Sequence, residues 1–387
     1  MNRYIFKPLF AGILFTSFVL LLNGCKKTDA DATETVKASL KVNAPPAVYI
    51  DTNITKFYKR KTGWIASDGG TTVKLSNGYV LWLYGDTYFD QLRESDGTLP
   101  CLFNKRSTAM YQPYNVWDPA KTKSLGPAPG DNSLFRSNKT NGYWNWPACG
   151  LQLGDTVYIY AASFKQVSGG LGFDSGGNDV MAKMTINSPY VVKYHTLQDF
   201  NQIGFTVGME KEADGYVYMF GSKRTWLTAD IYVARFPQKN PNAMWTFYDG
   251  TGWNNDVLKA KAIGNAPSNS NHLVKIKNKY VLFSAEFSLG CDGGKQIWAT
   301  VASGLKGPFS AKKLIYTIPD KVNGHTPFFY LPTAHPEYIN EKNEILLTYS
   351  INGYEPCVAN CVNGRFNPDY YRPRGIRVPL KLLDASF

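Results

Sequence analysis

Nowhere in its 387 residues does the sequence sustain a helical period, which argues against a helical bundle and leaves the core to strands. Walker-type and dinucleotide-binding glycine motifs are missing, as are the EF-hand pattern and any nucleic-acid-binding motif. No Ser-His-Asp or Cys-His array stands out, so nucleophilic catalysis by a serine or thiol has no visible carrier. The chain carries a formal charge of +12, yet Lys and Arg are scattered and form no stripe. The excess therefore reads as solubility near a cell envelope before it reads as affinity for an anionic polymer. What the sequence does have is 9 Trp, 25 Tyr, 22 Phe, 34 Gly and 22 Pro, a balance that favours an all-β fold.

The first 25 residues stand apart. Arg3 and Lys7 form a positive leader, Leu9 to Leu22 is apolar but short for a membrane span, and Leu22-Asn23-Gly24-Cys25 reads as a bacterial lipobox. Residues 1–25 are thus expected to be a lipoprotein signal, with Cys25 the lipidated residue that holds the protein at the outer membrane, at the cell surface or facing the periplasm. Residues 26–47 are polar and poor in aromatics and read as a disordered tether. Residues 48–387 are expected to form one domain. Beyond Cys25 lie Cys101, Cys149, Cys291, Cys357 and Cys361. Five is odd, so at least one thiol stays free or pairs between molecules, and Cys357 and Cys361 are close enough in sequence to bridge.

The stretch Gly63 to Tyr88 organises the rest. Two runs rich in Val, Leu, Trp and Tyr flank Asn77-Gly78, a strong hairpin signal. Asp68 stands before the first strand and Asp86 after the second. A strict two-residue turn sets Asp68 opposite Thr87 and Asp86 opposite Gly69, on opposite faces. A bulge at Gly69-Gly70 shifts that register and brings the carboxylates together. The second strand of this hairpin, Val80-Leu-Trp-Leu, recurs as Val157-Tyr-Ile-Tyr, Val217-Tyr-Met-Phe, Val281-Leu-Phe-Ser and Ile345-Leu-Leu-Thr, at intervals of 60 to 77 residues. Each copy follows a turn. Units of this kind cannot bury both faces alone and stack radially, so the expected architecture is a five-bladed β-propeller. The strand before each turn is expected to line the central channel, and the run from Gly375 to close the ring.

Aligning the copies gathers polar and aromatic residues at one channel mouth: Asp68, Trp146, Glu210 with Glu212, Asn271 with His272, and His335 with Glu337. Tryptophan stacks on sugar C–H faces, while amides, acids and histidines bind hydroxyls. Glycoside hydrolysis needs two carboxyl groups around one bond. Asp68 and Asp86 are the expected pair, Glu210 is the third catalytic candidate, and Glu286 and Glu337 stand behind it. Trp146, Asn271, His272 and His335 are expected to bind substrate. Each has a structural alternative: Asp86 as a turn cap, Asp68 as a brace for the glycines, each histidine hydrogen-bonded within a blade. No cofactor or metal is expected. Asp174 and Asp179, in the loop from Gly172, are the only calcium candidates, and that loop reads better as flexible.

The segments Ser67-Asp-Gly-Gly-Thr-Thr, Leu81-Trp-Leu-Tyr-Gly-Asp-Thr, Thr333-Ala-His-Pro-Glu and Tyr371-Arg-Pro-Arg resemble the five-bladed propellers of glycoside hydrolase family 183. That group was long catalogued as a domain of unknown function. The resemblance runs from about Trp64 to Leu380 and implies an endo-acting D-arabinan hydrolase whose paired aspartates map onto Asp68 and Asp86. More distantly the layout is similar to family 43 arabinanases and xylosidases, which implies a base at Asp68 and an acid in the third blade, where Glu210 falls. The function expected is a surface lipoprotein glycoside hydrolase, monomeric, cutting a furanose-rich polysaccharide and binding no nucleic acid. The alternatives are a non-catalytic glycan-binding lipoprotein and a structural or protein-binding propeller.

Overall fold

The computed structural model describes residues 47–137, 139, 142–167, 172–287, 292–322, 324–353 and 361–387. The lipobox Cys25, residues 26–46 of the tether expected over 26–47, Cys291 and Cys357 lie outside the described residues. Among those described, the chain builds five antiparallel sheets of four to six strands. Sheet I begins with β1 (Trp64–Lys74), sheet II with β2 (Tyr143–Leu153), sheet III with β3 (Gly204–Lys211), sheet IV with β4 (Asn271–Ile276) and sheet V with β5 (Phe328–His335). Each of these first strands touches the first strand of the next sheet, and β5 touches β1. The result is a β-propeller with β1 to β5 around its axis.

The recurring apolar tetrads are the second strands of the five sheets. They are largely apolar on both faces, with Ser284 and Thr348 the polar exceptions, because both faces of each sheet are covered. Val80, Trp82 and Tyr84 pack with Leu346 of sheet V and with Tyr338 in the turn between its first two strands. Leu81 and Leu83, pointing the other way, pack with Val157 and Ile159 of sheet II. Further apolar clusters fill the spaces between sheets II and III, III and IV, and IV and V. Five interfaces thus close one cycle. Fully burying each such side chain contributes about 1.5–3 kcal/mol.

Closure differs in detail from the expectation. The strand Arg374–Pro379 does join sheet V, but the outermost position beside it is taken by Tyr49–Ile50 from the start of the domain. Asp51 locks this junction. One carboxyl oxygen caps the helix Thr52–Phe57 through the Asn53 and Ile54 amides at 2.9 and 3.4 Å. The other accepts from Arg377 Nε at 2.6 Å, in a pair largely withdrawn from solvent.

The cysteine pairing also differs. Cys361 is bridged to Cys101, not to Cys357. Cys101 adjoins Leu99–Pro100, which pairs with Arg365–Phe366 and so with Cys361–Val362 in a small three-stranded sheet. Nearness in sequence was the wrong guide, since this sheet brings together residues 260 apart. Cys149 is buried with a free thiol.

Replacing Asp51 by Ala removes a cap and strands a buried guanidinium, so a loss of about 3 kcal/mol is expected in denaturant titration. Asp51→Asn, which keeps the cap, should lose less. No loss in Asp51→Asn would mean that Arg377 does not depend on the charge, and equal losses in the two variants would mean that the cap contributes nothing.

Candidate active site

The first hairpin carries two changes of register that matter. Lys74 to Thr71 pair regularly with Val80 to Leu83 across a three-residue turn, Ser76 to Gly78, rather than the two-residue turn expected. Further along, Gly69 pairs with Tyr84 and Ser67 with Thr87. Gly70 is therefore extra on β1, and Asp68 faces the two residues Gly85 and Asp86. This is the bulge expected at the paired glycines. It relies on left-handed backbone at both, φ 84° at Gly69 and 112° at Gly70. Gly85 is needed for a different reason: a Cβ there would lie 2.6 Å from Asp68 Oδ1. The Asp68 carboxyl rests on bare backbone next to Asp86.

Hydroxyl groups fix this geometry from behind. Ser67 Oγ donates to the carbonyl of Asp86 at 2.8 Å, and Thr87 Oγ1 donates to Ser67 Oγ at 3.0 Å. In front, the two carboxyls have different company. Asp68 Oδ2 accepts from Tyr330 at 3.1 Å, and the Tyr371 hydroxyl also bonds Asp68. Asp86 Oδ1 accepts from the Trp146 indole N–H at 3.2 Å, and Arg106 Nη1 lies 3.3 Å from Asp86 Oδ2. Arg106 is itself held by Gln166 at 2.9 Å and stacks 4.1 Å over Trp144. Trp146 is wedged against Phe164 and Phe173, with ring centres at 4.4 and 4.9 Å. Phe173 is half exposed and offers an open aromatic face beside the pair.

Desolvation pushes the Asp68 carboxyl up to about 6, against the pull of the Tyr330 and Tyr371 hydroxyls. Burial and then the Asp68 charge raise Asp86 well above the usual carboxylate range, while Arg106 and Trp146 pull it back. Burial and the same carboxylates raise both tyrosines, so they stay protonated donors. Two carboxyls this close, in so little water, titrate as a unit and hold a proton between them near neutrality. Such a pair is equipped to give one proton and accept another.

Three of the residues expected at the site are brought together here: Asp68, Asp86 and Trp146. The others are not. Glu210 lies near the end of β3, with Oε1 accepting from the Lys275 amide at 2.8 Å. It lines a cavity with Lys74, Gln152 and Glu337, from the late halves of their strands or just beyond, and with His272 near the start of β4. Asp68, Trp146 and Tyr330 come from the early halves of theirs, so Glu210 and Glu337 sit at the opposite channel mouth. Counting back from each turn misaligned the copies, because inner strands of 6 to 11 residues reach their turns at different depths.

His272 Nδ1 accepts from the Ala334 amide at 3.1 Å. Asn271 turns into the wall and donates to the Ser268 carbonyl at 2.9 Å. His335 is fully buried between Thr72 and Thr348, at 2.8 and 2.9 Å, and its ring lies 5.0 Å from that of Trp82. Burial keeps both histidines neutral, His272 pushed down to about 4. Glu286 accepts from the Lys295 amide at 2.9 Å. Asp179 accepts from Tyr160 and from the Ser163 amide, while Asp174 accepts from the Ser175 amide beside it. Among the described residues no three His, Cys, Asp or Glu side chains are placed to hold a metal ion.

Sequence reading missed Tyr330, Arg106 and Gln166. Tyr371 stood in a noted motif but was given no role. Its neighbours are structural: Arg372 donates to the carbonyls of Ile65 and Arg60 at 2.9 and 3.0 Å, and Arg374 Nε donates to Asp320 at 3.1 Å.

A family model described as "Domain of unknown function (DUF5005)" matches residues 51–380. No curated protein sequence matches the chain significantly. Among solved structures, a Bacteroides ovatus protein described as a candidate hydrolase superposes with a TM-score of 0.68 at 17% identity, over 86% of this chain and 90% of that one. At that identity the likeness establishes a shared fold. An α-L-arabinofuranosidase from Podospora anserina gives 0.45 at 11% identity, covering 82% of this chain and 91% of that one. An exo-β-1,3-galactanase from Phanerochaete chrysosporium gives 0.47 at 11%, covering 87% and 64%.

Asp68 pays for its position in stability. Its carboxyl is raised to about 6 in the fold but titrates near 4 when unfolded, so folding is weakened as pH rises from about 4 to 6. Asp68→Asn is expected to stabilise the protein by about 1–2 kcal/mol at pH 7 and by little at pH 3.5. Parallel stability–pH curves for the two proteins would show that Asp68 is not desolvated.

Proposed function

The chain belongs to the DUF5005 family, and we propose that in this member the five sheets are the blades of a glycoside hydrolase that cuts within a furanose-rich polysaccharide, D-arabinan before L-arabinan. The observation that carries this reading is the bulged hairpin, which sets Asp68 and Asp86 side by side in one dry site with an aromatic wall. The family 183 resemblance of the same residues supports it and supplies the substrate class.

Roles follow from the hydrogen-bond partners. Arg106 and the Trp146 indole can only donate, so they favour the ionised form of Asp86 against the burial and the Asp68 charge that raise it, and the proton the pair shares is assigned to Asp68. Tyrosine hydroxyls donate and accept, so Tyr330 and Tyr371 tolerate a protonated Asp68. Asp68 is then the acid: its proton passes to the glycosidic oxygen as the anomeric C–O bond breaks. Asp86 supplies the carboxylate that attacks the anomeric carbon or takes the proton of the attacking water. Phe173 offers the sugar a stacking face. We place the enzyme on the outer membrane through lipidated Cys25, as a monomer.

The test is incubation of residues 26–387 with D-arabinan and with L-arabinan, following released oligosaccharides. Cleavage of D-arabinan is expected, reduced at least about 10³-fold in Asp68→Asn and Asp86→Asn with folding intact. The rate should fall as pH rises through about 6, where Asp68 loses its proton. Binding without cleavage would favour a glycan-binding protein. Activity that survives both substitutions would remove the aspartates from the chemistry.

A further inference from the structure

Sheet III carries a projection on the aspartate side of the ring. Its second strand, Tyr216–Thr225, runs antiparallel to β3, with Val217 opposite Lys211 and Ser222 opposite Gly204. The end of that strand is therefore on the aspartate side, away from Glu210. Lys223, Arg224 and Thr225 carry it past the start of β3, by roughly 10 Å at strand rise. There Trp226 and Leu227 turn the chain into Thr228–Pro237. In the other four sheets the same connection takes ten residues or more. Sheet III thus raises a bare hairpin with an indole at its tip.

The fold makes little use of that indole. Trp226 is 84% exposed, more than any other large apolar side chain among the described residues, and Leu227 beside it is 41% exposed. The backbone at Trp226 is left-handed, with φ 58°. Asparagine or glycine enters that region in a two-residue turn without strain, and a bulky residue does not. The turn is nevertheless braced. Arg224 Nε donates to the Trp226 carbonyl at 2.7 Å, and the Thr225 and Thr228 hydroxyls bond each other at 2.7 Å. Lys223 Nζ donates to the Asn201 carbonyl at 2.9 Å, and the Arg224 guanidinium lies 5.3 Å from the Phe287 ring, just beyond the second strand of sheet IV. A strained residue held exposed on a braced stalk points to a ligand.

We propose that Trp226 is a second stacking platform for the polysaccharide, holding a sugar ring of the same chain several residues from the bond that is cut. Phe173 offers an open ring beside the aspartates on the sheet II connection, and Trp226 follows on the next sheet, so exposed aromatic faces stand on successive blades. The size suits a sugar. One indole offers on the order of 200 Å², enough for a sugar face, whereas a protein partner needs about 800 Å² on its side. A lipid surface suits it less. Tyr49 pairs with Arg377 and Ile50 with Ile376, so the chain enters sheet V from the far-mouth side, away from Trp226. Lys223 and Arg224, the nearest cations to meet lipid phosphates, are engaged in bracing the hairpin.

The proposal rests on reading the aspartate mouth as a polysaccharide site, and its test separates the two. Asp68→Asn, which is expected not to cleave, is run through native gels containing graded D-arabinan, so that retardation reads binding alone. Retardation is expected, weakened about tenfold in apparent Kd by adding Trp226→Ala and largely kept by adding Trp226→Tyr. Adding Trp226→Asn relieves the turn, so it should unfold at no lower temperature and still lose about tenfold in binding. Cleavage is read separately with the unmutated protein. Trp226-dependent binding without cleavage would remove the hydrolase and keep the platform. Cleavage with retardation unchanged by Trp226→Ala and Trp226→Asn would keep the hydrolase and overturn the platform. Three other results would each overturn it: no retardation by D-arabinan, a dimer that Trp226→Ala dissolves, or Trp226-dependent sedimentation with vesicles of phosphatidylethanolamine and phosphatidylglycerol.

Discussion

Two carboxyl groups that repel each other are held together in little water, and the channel mouth that carries them is built around keeping them there. Left alone, the repulsion would drive one side chain outward into solvent. It cannot, because the bulge at Gly69-Gly70 fixes the backbone of one and the missing side chain at Gly85 gives it a seat. Donors then divide the pair. Arg106 comes to Asp86 from the loop before the Thr108–Pro113 strand of sheet I and Trp146 from sheet II, and Tyr330 and Tyr371 come to Asp68 from sheet V and the segment just before its Arg374–Pro379 strand. A site with this pattern is unstable by construction, and the surrounding propeller supplies the stability it lacks.

Ring closure is what permits such a site. No single sheet contains the donors for both aspartates. Only when sheets I, II and V stand next to one another do Tyr330, Asp68 and Trp146 reach the same space. The small sheet stapled by Cys101–Cys361 serves the same end. Within it Phe366 stacks on Tyr88 at 5.2 Å, and Tyr88 in turn meets Tyr371 edge-on at 5.7 Å. A disulfide at the periphery thus steadies a hydroxyl that touches Asp68.

Much of this was legible in the residues. The tetrads beginning at Val80, Val157, Val217, Val281 and Ile345 identified five second strands, because a strand covered on both faces is apolar at successive positions rather than at alternate ones. Asn77-Gly78 announced a hairpin, and Gly69-Gly70 announced its bulge, because only glycine enters that backbone region cheaply. Depth along the channel was not legible. Glu210 and Glu337 look equivalent to Asp68 when copies are aligned on their turns, and they lie at the other mouth. Tyr330 and Arg106 gave no local signal, since a tyrosine in a strand and an arginine in a loop are ordinary until folding sets them on a carboxylate. The partner of Cys361 was hidden in the same way, by a contact that exists only after the ring has formed.

The strand Tyr49–Ile50, added to the edge of the last sheet, gives the molecule an order of assembly. During synthesis the hairpins of sheets I to IV can each pair as they emerge. Sheet V cannot be completed until Arg374–Pro379 is available, and until then Tyr49–Ile50 has no neighbour. Tyr330, Tyr371 and Cys361 are all late residues. Asp68 therefore spends most of the chain's synthesis without its tyrosines, open to water like any surface aspartate. The site comes into being only with the last turn of the ring, so a chain cut short anywhere within sheet V would carry both aspartates and lack the environment that makes them a pair.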